Sequence, residues 1–168
     1  MIWCMGYPEV LPLADGCVVA VGNFDGVHAG HQSLLAAALA RAEALGLPLV
    51  VLTFEPHPRV VLQPAVPLRR LSELPEKVRL LSECGVRGVA VLPFNMEVAG
   101  WNATAFMQRI LADWLGAKVV AVGENFRFGH RAAGKIEDLR GFGAFEVLVA
   151  PLVRDSGGVV SSSRLRGD

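Results

Sequence analysis

Directly after an apolar run, Gly22-Asn23-Phe24-Asp25-Gly26-Val27-His28-Ala29-Gly30-His31 packs three glycines and two histidines into ten residues. Glycines let backbone approach a ligand closely. If a helix opens at the end of this stretch, its first turn offers unpaired N–H groups and about half a positive charge to an anion. His28 and His31 would project to one side of that turn. Imidazole titrates at about pH 6.5, so a neighbouring phosphate would hold both rings protonated as donors. Phosphate binding is therefore the chemistry this segment suits. Zinc ligation and simple helix capping are the two other readings, and no third zinc ligand stands at a suitable spacing nearby. The glycine spacing is neither G-x-G-x-x-G nor G-x-x-x-x-G-K-[ST], which removes the ordinary dinucleotide and P-loop readings.

Three further constellations follow. Thr53-Phe54-Glu55-Pro56-His57-Pro58-Arg59 joins an aromatic ring to two phosphate donors in a proline-stiffened loop, or is only a loop. Gly123-Glu124-Asn125-Phe126-Arg127-Phe128-Gly129-His130 carries two phenylalanines that could stack on a flat ring or pack beneath a loop. Ser161-Ser162-Ser163-Arg164-Leu165-Arg166 offers hydroxyls and guanidinium forks to a triphosphate, or is a polar tail.

The elements that must position these segments read as alternating strands and helices. Cys17–Gly22, Leu49–Phe54, Gly88–Leu92, Lys118–Gly123 and Phe145–Ala150 are apolar runs expected as buried strands. Helices are expected over His31–Leu45, Ser72–Gly85 and Thr104–Leu115, the last capped by Asn102 or Thr104. Such alternation predicts an α/β fold, a parallel sheet with helices on both faces. Ligands of such sheets sit beyond the carboxyl ends of the strands, and three of the four constellations follow a strand directly. With 168 residues, 52% of them apolar and 19% charged, the chain fits one domain over 1–168. Sixteen basic and sixteen acidic side chains cancel without a basic cluster, which argues against nucleic-acid binding. No apolar run approaches the roughly 20 residues of a membrane span. Cys4, Cys17 and Cys84 have no metal or disulfide spacing, which suits a reducing cytoplasm. Oligomeric state is not legible.

Together these segments resemble the FMN adenylyltransferase module of bacterial bifunctional riboflavin kinase/FAD synthetases. The resemblance runs from about Cys17 to Arg166 through GNFDGVHAGHQ, TFEPHPR, LSELPEKVRLLSECGV, FNMEVAGWNATAFMQRIL, VGENFRFG, RAAGKIEDL and SSSRLR. It implies the Rossmann-like fold of the nucleotidyltransferase superfamily, ATP and FMN as substrates, and Mg²⁺. His28, His31, Asn125 and Arg164 would then serve the reacting phosphates. Gly22, Asn23, Phe24, Asp25, Ser161, Ser162, Ser163 and Arg166 would bind ATP. Phe54, Pro56, His57, Pro58, Arg59 and Phe128 would form the FMN side. The sequence does not name the Mg²⁺ ligands, although Asp25 and Asn125 are candidates. Ser161-Ser162-Ser163 replaces the usual Ser-Ser-Thr and keeps a hydroxyl. The sequence ends at Asp168, where the family continues into a kinase half, so riboflavin phosphorylation is not expected of it.

The chemistry suits these residues. A phosphate monoester has a second pKa of about 6, so it attacks as a dianion and requires no protein base. What it needs is alignment and positive charge opposite the leaving pyrophosphate. Two rival readings keep most of the site: transfer to another phosphate monoester, and non-catalytic binding of nucleotide or flavin.

Overall fold

The apolar runs become strands because both faces of the sheet are covered. The computed structural model describes residues 2–24, 29–55, 74–151, 154–155 and 158–159. Among these, the strands β1 (Trp3–Gly6), β2 (Cys17–Val21), β3 (Leu49–Glu55), β4 (Gly88–Pro93), β5 (Ala117–Gly123) and β6 (Glu146–Ala150) form one sheet in the order β1-β4-β3-β2-β5-β6. Every pairing in it is parallel. β7 (Arg154–Asp155) and β8 (Gly158–Val159) form a separate antiparallel pair. All five residues of β2 are buried, as expected of a central parallel strand.

Side-chain alternation divides the core into two layers. Val18, Ala20, Val51 and Ala121 face helices α1 (Ala29–Leu45) and α2 (Leu74–Ser82), meeting Leu34, Leu35, Ala38 and Leu81. Val19, Val50, Leu52 and Val120 face the other side. There they meet Phe106, Ile110 and Leu111 of the segment that begins as α3 and α4, together with Leu139 of α5 (Ile136–Phe142). Here α3 is Met96–Ala99 and α4 is Ala103–Phe106, which continues with π-type bonding over Met107–Trp114. Each fully buried leucine contributes about 1.5–3 kcal/mol through the area it removes from water.

Boundaries follow local chemistry. Gly46 and Gly85 close α1 and α2 with φ of +67° and +84°, the left-handed geometry that favours glycine. Asn102 caps α4 by accepting from the Ala105 N–H at 2.8 Å. Asn95 does the same for α3 through Val98 N–H at 2.9 Å. The elements β1, β7, β8, α3 and α5 were not expected. β1 is held by its register on β4, and the Trp3 ring fills the space where Gly88 has no Cβ. α5 opens with the Asp138 carboxylate accepting from the Lys135 N–H at 2.8 Å.

Sheet order sets the place of the site. From β2 the chain steps outward to β3 and β4, then crosses back to lay β5 on the other side of β2. The carboxyl ends of β2 and β5 therefore flank a topological switch point, where open α/β sheets bind ligands.

Candidate functional site

Beyond those strand ends lies a cavity of about 720 Å³. Gly22 and Asn23 after β2, Phe54 at the end of β3, Phe94 after β4 and Asn125 after β5 all line it. So do Met96, Trp101 and Phe106, together with the loop from Phe126 to Ala132. Its wall is a chain of rings. Phe94 meets Phe54 edge-on at 6.0 Å, Phe54 lies 6.4 Å from Phe106, and Phe106 lies 5.5 Å from Phe128. Phe128 and Phe126 are stacked at 5.6 Å with 14° between their planes. An apolar cleft with a few convergent polar groups is the usual form of a small-molecule site.

The sequence left Phe126 and Phe128 either to stack on a flat ring or to pack beneath a loop. Phe128 packs: it is only 6% exposed and belongs to the buried cluster beside Phe106. The reason is steric: its loop folds back so that Phe128 and Gly134 exchange backbone bonds at 3.2 and 2.8 Å, leaving no room for a side chain at Gly134. Phe128 therefore serves the cavity as supporting wall, while Phe126 and Phe54 are the half-buried rings beside it.

The Gly22–Phe24 turn also differs from expectation. Phe24 has φ of +52° and is fully buried, its ring 4.9 Å from that of His31. Its side chain is thus part of the core under α1, and only its backbone faces outward chemistry. The left-handed backbone at a bulky residue costs about 1–3 kcal/mol and is held by this burial. Asn23, assigned to the nucleotide side by sequence, lies on the aromatic cavity with Phe54 and Phe128. Its carbonyl accepts from Thr53 Oγ1 at 3.1 Å. Its side-chain oxygen Oδ1 is buried with no hydrogen-bond partner among the described residues. His31 stands in the first turn of α1, at the carboxyl end of β2, as expected. Asn125 is exposed in the turn after β5 and reaches the same cavity. The structure thus gathers Gly22, Asn23, Phe54, Asn125 and Phe128 on one cleft, with Phe24 and His31 behind the turn.

His28, Asp25, Pro56, His57, Pro58, Arg59, Ser161, Ser162, Ser163, Arg164 and Arg166 lie outside the described residues. Sequence reasoning missed Phe94, Met96, Trp101, Phe106 and the basic rim of Arg127, His130 and Arg131. The first four were findable, because FNMEVAGWNATAF also follows a strand and carries three aromatic residues among polar turn residues. On the rim, Arg131 and Ala132 both adopt positive φ, +56° and +54°, and Arg127 Nη1 donates to the Ala132 carbonyl at 3.3 Å. Among the described residues, no group of three or more His, Cys, Asp or Glu could hold a metal ion.

A family model described as FAD synthetase matches residues 11–164. The chain belongs to that family. A bifunctional riboflavin kinase/FMN adenylyltransferase from Pseudomonas fluorescens is 38% identical over 164 residues, which is 96% of this chain and 52% of the relative. The enzyme of the same name from Escherichia coli K12 is 36% identical over 155 residues, 90% of this chain and 50% of that one. The chain therefore spans about half the length of the curated relatives it matches. Among solved structures, a Streptococcus pneumoniae protein described as a macrolide-efflux protein superposes with a TM-score of 0.86 at 30% identity. That match covers 99% of this chain and 56% of the other. No described helix of this FAD synthetase family member is long and apolar enough to cross a membrane.

Proposed function

We propose that this chain is an FMN adenylyltransferase: it transfers AMP from ATP to FMN, forming FAD and pyrophosphate. The observation that carries the reading is the ring-walled cavity opening at the β2–β5 switch point in a FAD synthetase family chain. A flat tricyclic ring suits a wall built from Phe54, Phe94, Phe106 and Phe126, since aromatic faces favour offset or edge contacts. The phosphate end of the acceptor then points toward the Gly22–Phe24 turn and the first turn of α1. There, the partial positive charge of the helix N-terminus and His31 favour negative charge. His28, Arg164 and Arg166 are assigned to the same charge, and Ser161, Ser162 and Ser163 to the triphosphate oxygens. Pro56, His57, Pro58 and Arg59 are assigned to FMN.

An oxygen of the FMN phosphate attacks the α-phosphorus of ATP. The new P–O bond joins the two nucleotides, and the bond from the α-phosphorus to the bridging oxygen breaks, releasing pyrophosphate. No protein nucleophile or base is needed. The protein aligns the two phosphates and offsets the charge that grows on the leaving group. The orphaned Asn23 Oδ1 supports a ligand N–H donor at that point of the cavity, either the adenine amino group or the flavin imide.

The residues present fit a Mg²⁺ carried on the triphosphate, because that ion draws most of its shell from phosphate oxygens and water. Asn125 and Asp25 are the protein oxygens that would reach it. When bound, it supplies charge neutralisation across the phosphates. The free thiols Cys4, Cys17 and Cys84 support a cytoplasmic enzyme. Incubation with ATP, Mg²⁺ and a panel of phosphate monoesters tests the reading. Turnover with FMN and none with simple sugar phosphates is expected. Equal turnover with ring-free acceptors would mean that the aromatic cavity does not select the acceptor.

A further inference from the structure

Lys77 projects from the middle of α2 into the protein and is 1% exposed, an unusual place for an ammonium group. It donates to Thr53 Oγ1 at 3.2 Å and forms an ion pair with Glu55 Oε1 at 3.3 Å. Because the Thr53 hydroxyl receives the lysine proton, its own proton is directed to the Asn23 carbonyl at 3.1 Å. Thr53 is fully buried, so the hydroxyl has little freedom to turn elsewhere.

Thr53 and Glu55 share one face of β3, and Phe54 between them points to the opposite face, into the cavity. Lys77 therefore holds the residues on both sides of a cavity ring. Through Thr53 it also holds the backbone of Asn23, which lines the same cavity and precedes the strained Phe24. Burying a cation for stability alone is a poor use of it, since an apolar replacement often serves as well. What a buried, fully directed network supplies is a fixed geometry.

We infer that Lys77 is a positioning residue for the cavity: acting through Thr53 and Glu55 from the opposite face of the sheet, it sets Phe54 and the Asn23 turn for the ligand ring. The inference rests on the reading of the cavity as the flavin site. Loss of the relay weakens binding of the ring more than it slows the bound complex.

Thr53→Val removes the hydroxyl and keeps the volume. Lys77→Met removes the charge and keeps the chain length. Thr53→Ser restores the hydroxyl. FMN affinity is read by quenching of flavin fluorescence, turnover by FAD formation, and folding by thermal melting. T53V and K77M are expected to bind FMN about tenfold more weakly, the weight of one directed hydrogen bond. Their kcat at saturating FMN should stay within about threefold of wild type. T53S should bind as wild type does. Where K77M fails to fold, T53V and T53S decide the matter. Wild-type FMN affinity in folded T53V, even with a lowered melting temperature, would show a merely structural role and overturn the inference. An unaltered chain that binds no FMN would instead overturn the flavin reading, and the inference with it.

Discussion

Asn23→Leu should make the free protein more stable and the liganded protein weaker. Asn23 Oδ1 is buried without a partner among the described residues, and an unsatisfied buried acceptor costs about 1–3 kcal/mol. Leucine has nearly the same size, and Asn23 is absent from the positions of positive φ, so its backbone accepts the change. Removing the orphaned oxygen should recover part of that cost. For a chain of 168 residues this corresponds to a rise in Tm of about 2–4 °C per kcal/mol. The ligand loses the same acceptor and leaves its own N–H unpaired, so affinity should fall about tenfold or more. Thermal melting without ligand, followed by separate titrations with FMN and with ATP, measures both effects. The ligand that loses affinity identifies the donor as flavin imide or adenine amine. A lower Tm with unchanged affinity for both ligands would refute the reasoning, because Oδ1 would then be serving the fold.

Gly88→Ala should destabilise the protein by about 1–3 kcal/mol in chemical denaturation and shift tryptophan emission, because a Cβ there would run into the Trp3 ring and push β1 from β4. Asn102→Ala should cost about 1 kcal/mol by the same measurement, since the cap of α4 is lost, whereas Asn102→Asp should cost little. Burial pushes the Cys17 thiol up to about 12, so the folded state keeps a proton that the unfolded chain releases above its ordinary value of 9.0. Stability should therefore fall as pH rises between those values, by about one kcal/mol per pH unit, and denaturation of Cys17→Ala across that range should lack this contribution.

The central strands were legible because burial on both faces turns β2, β3 and β5 into near-continuous apolar runs. Trp3–Gly6 carried no such signal: four residues at a sheet edge become a strand only through their register on β4. The α2 helix was legible, but the burial of Lys77 was not. A lysine on an amphipathic pattern reads as solvated, and the approach of Thr53 and Glu55 from another strand makes its burial tolerable. The same holds for the site. Gly22, Asn23, Phe54, Asn125 and Phe128 could be picked out because each stands at or just beyond the end of a strand in a short, compositionally odd segment. Their division of labour could not. Phe24 looks like a ligand-facing residue until its positive φ turns the ring inward, and Asn23 joins the aromatic side because Thr53 anchors its carbonyl. Trp101 and Phe106 stand in a segment whose composition marks it, but the fold of α3 and α4 that brings them to the cavity is not written in their local spacing.

The most direct test uses ATP labelled at the α-phosphate, incubated with the protein, Mg²⁺ and FMN. The label is expected in FAD, one equivalent for each pyrophosphate released, while label at the γ-phosphate appears only in pyrophosphate. Transfer of γ-label to the flavin, or hydrolysis of ATP with no label in any flavin product, would contradict adenylyl transfer to FMN.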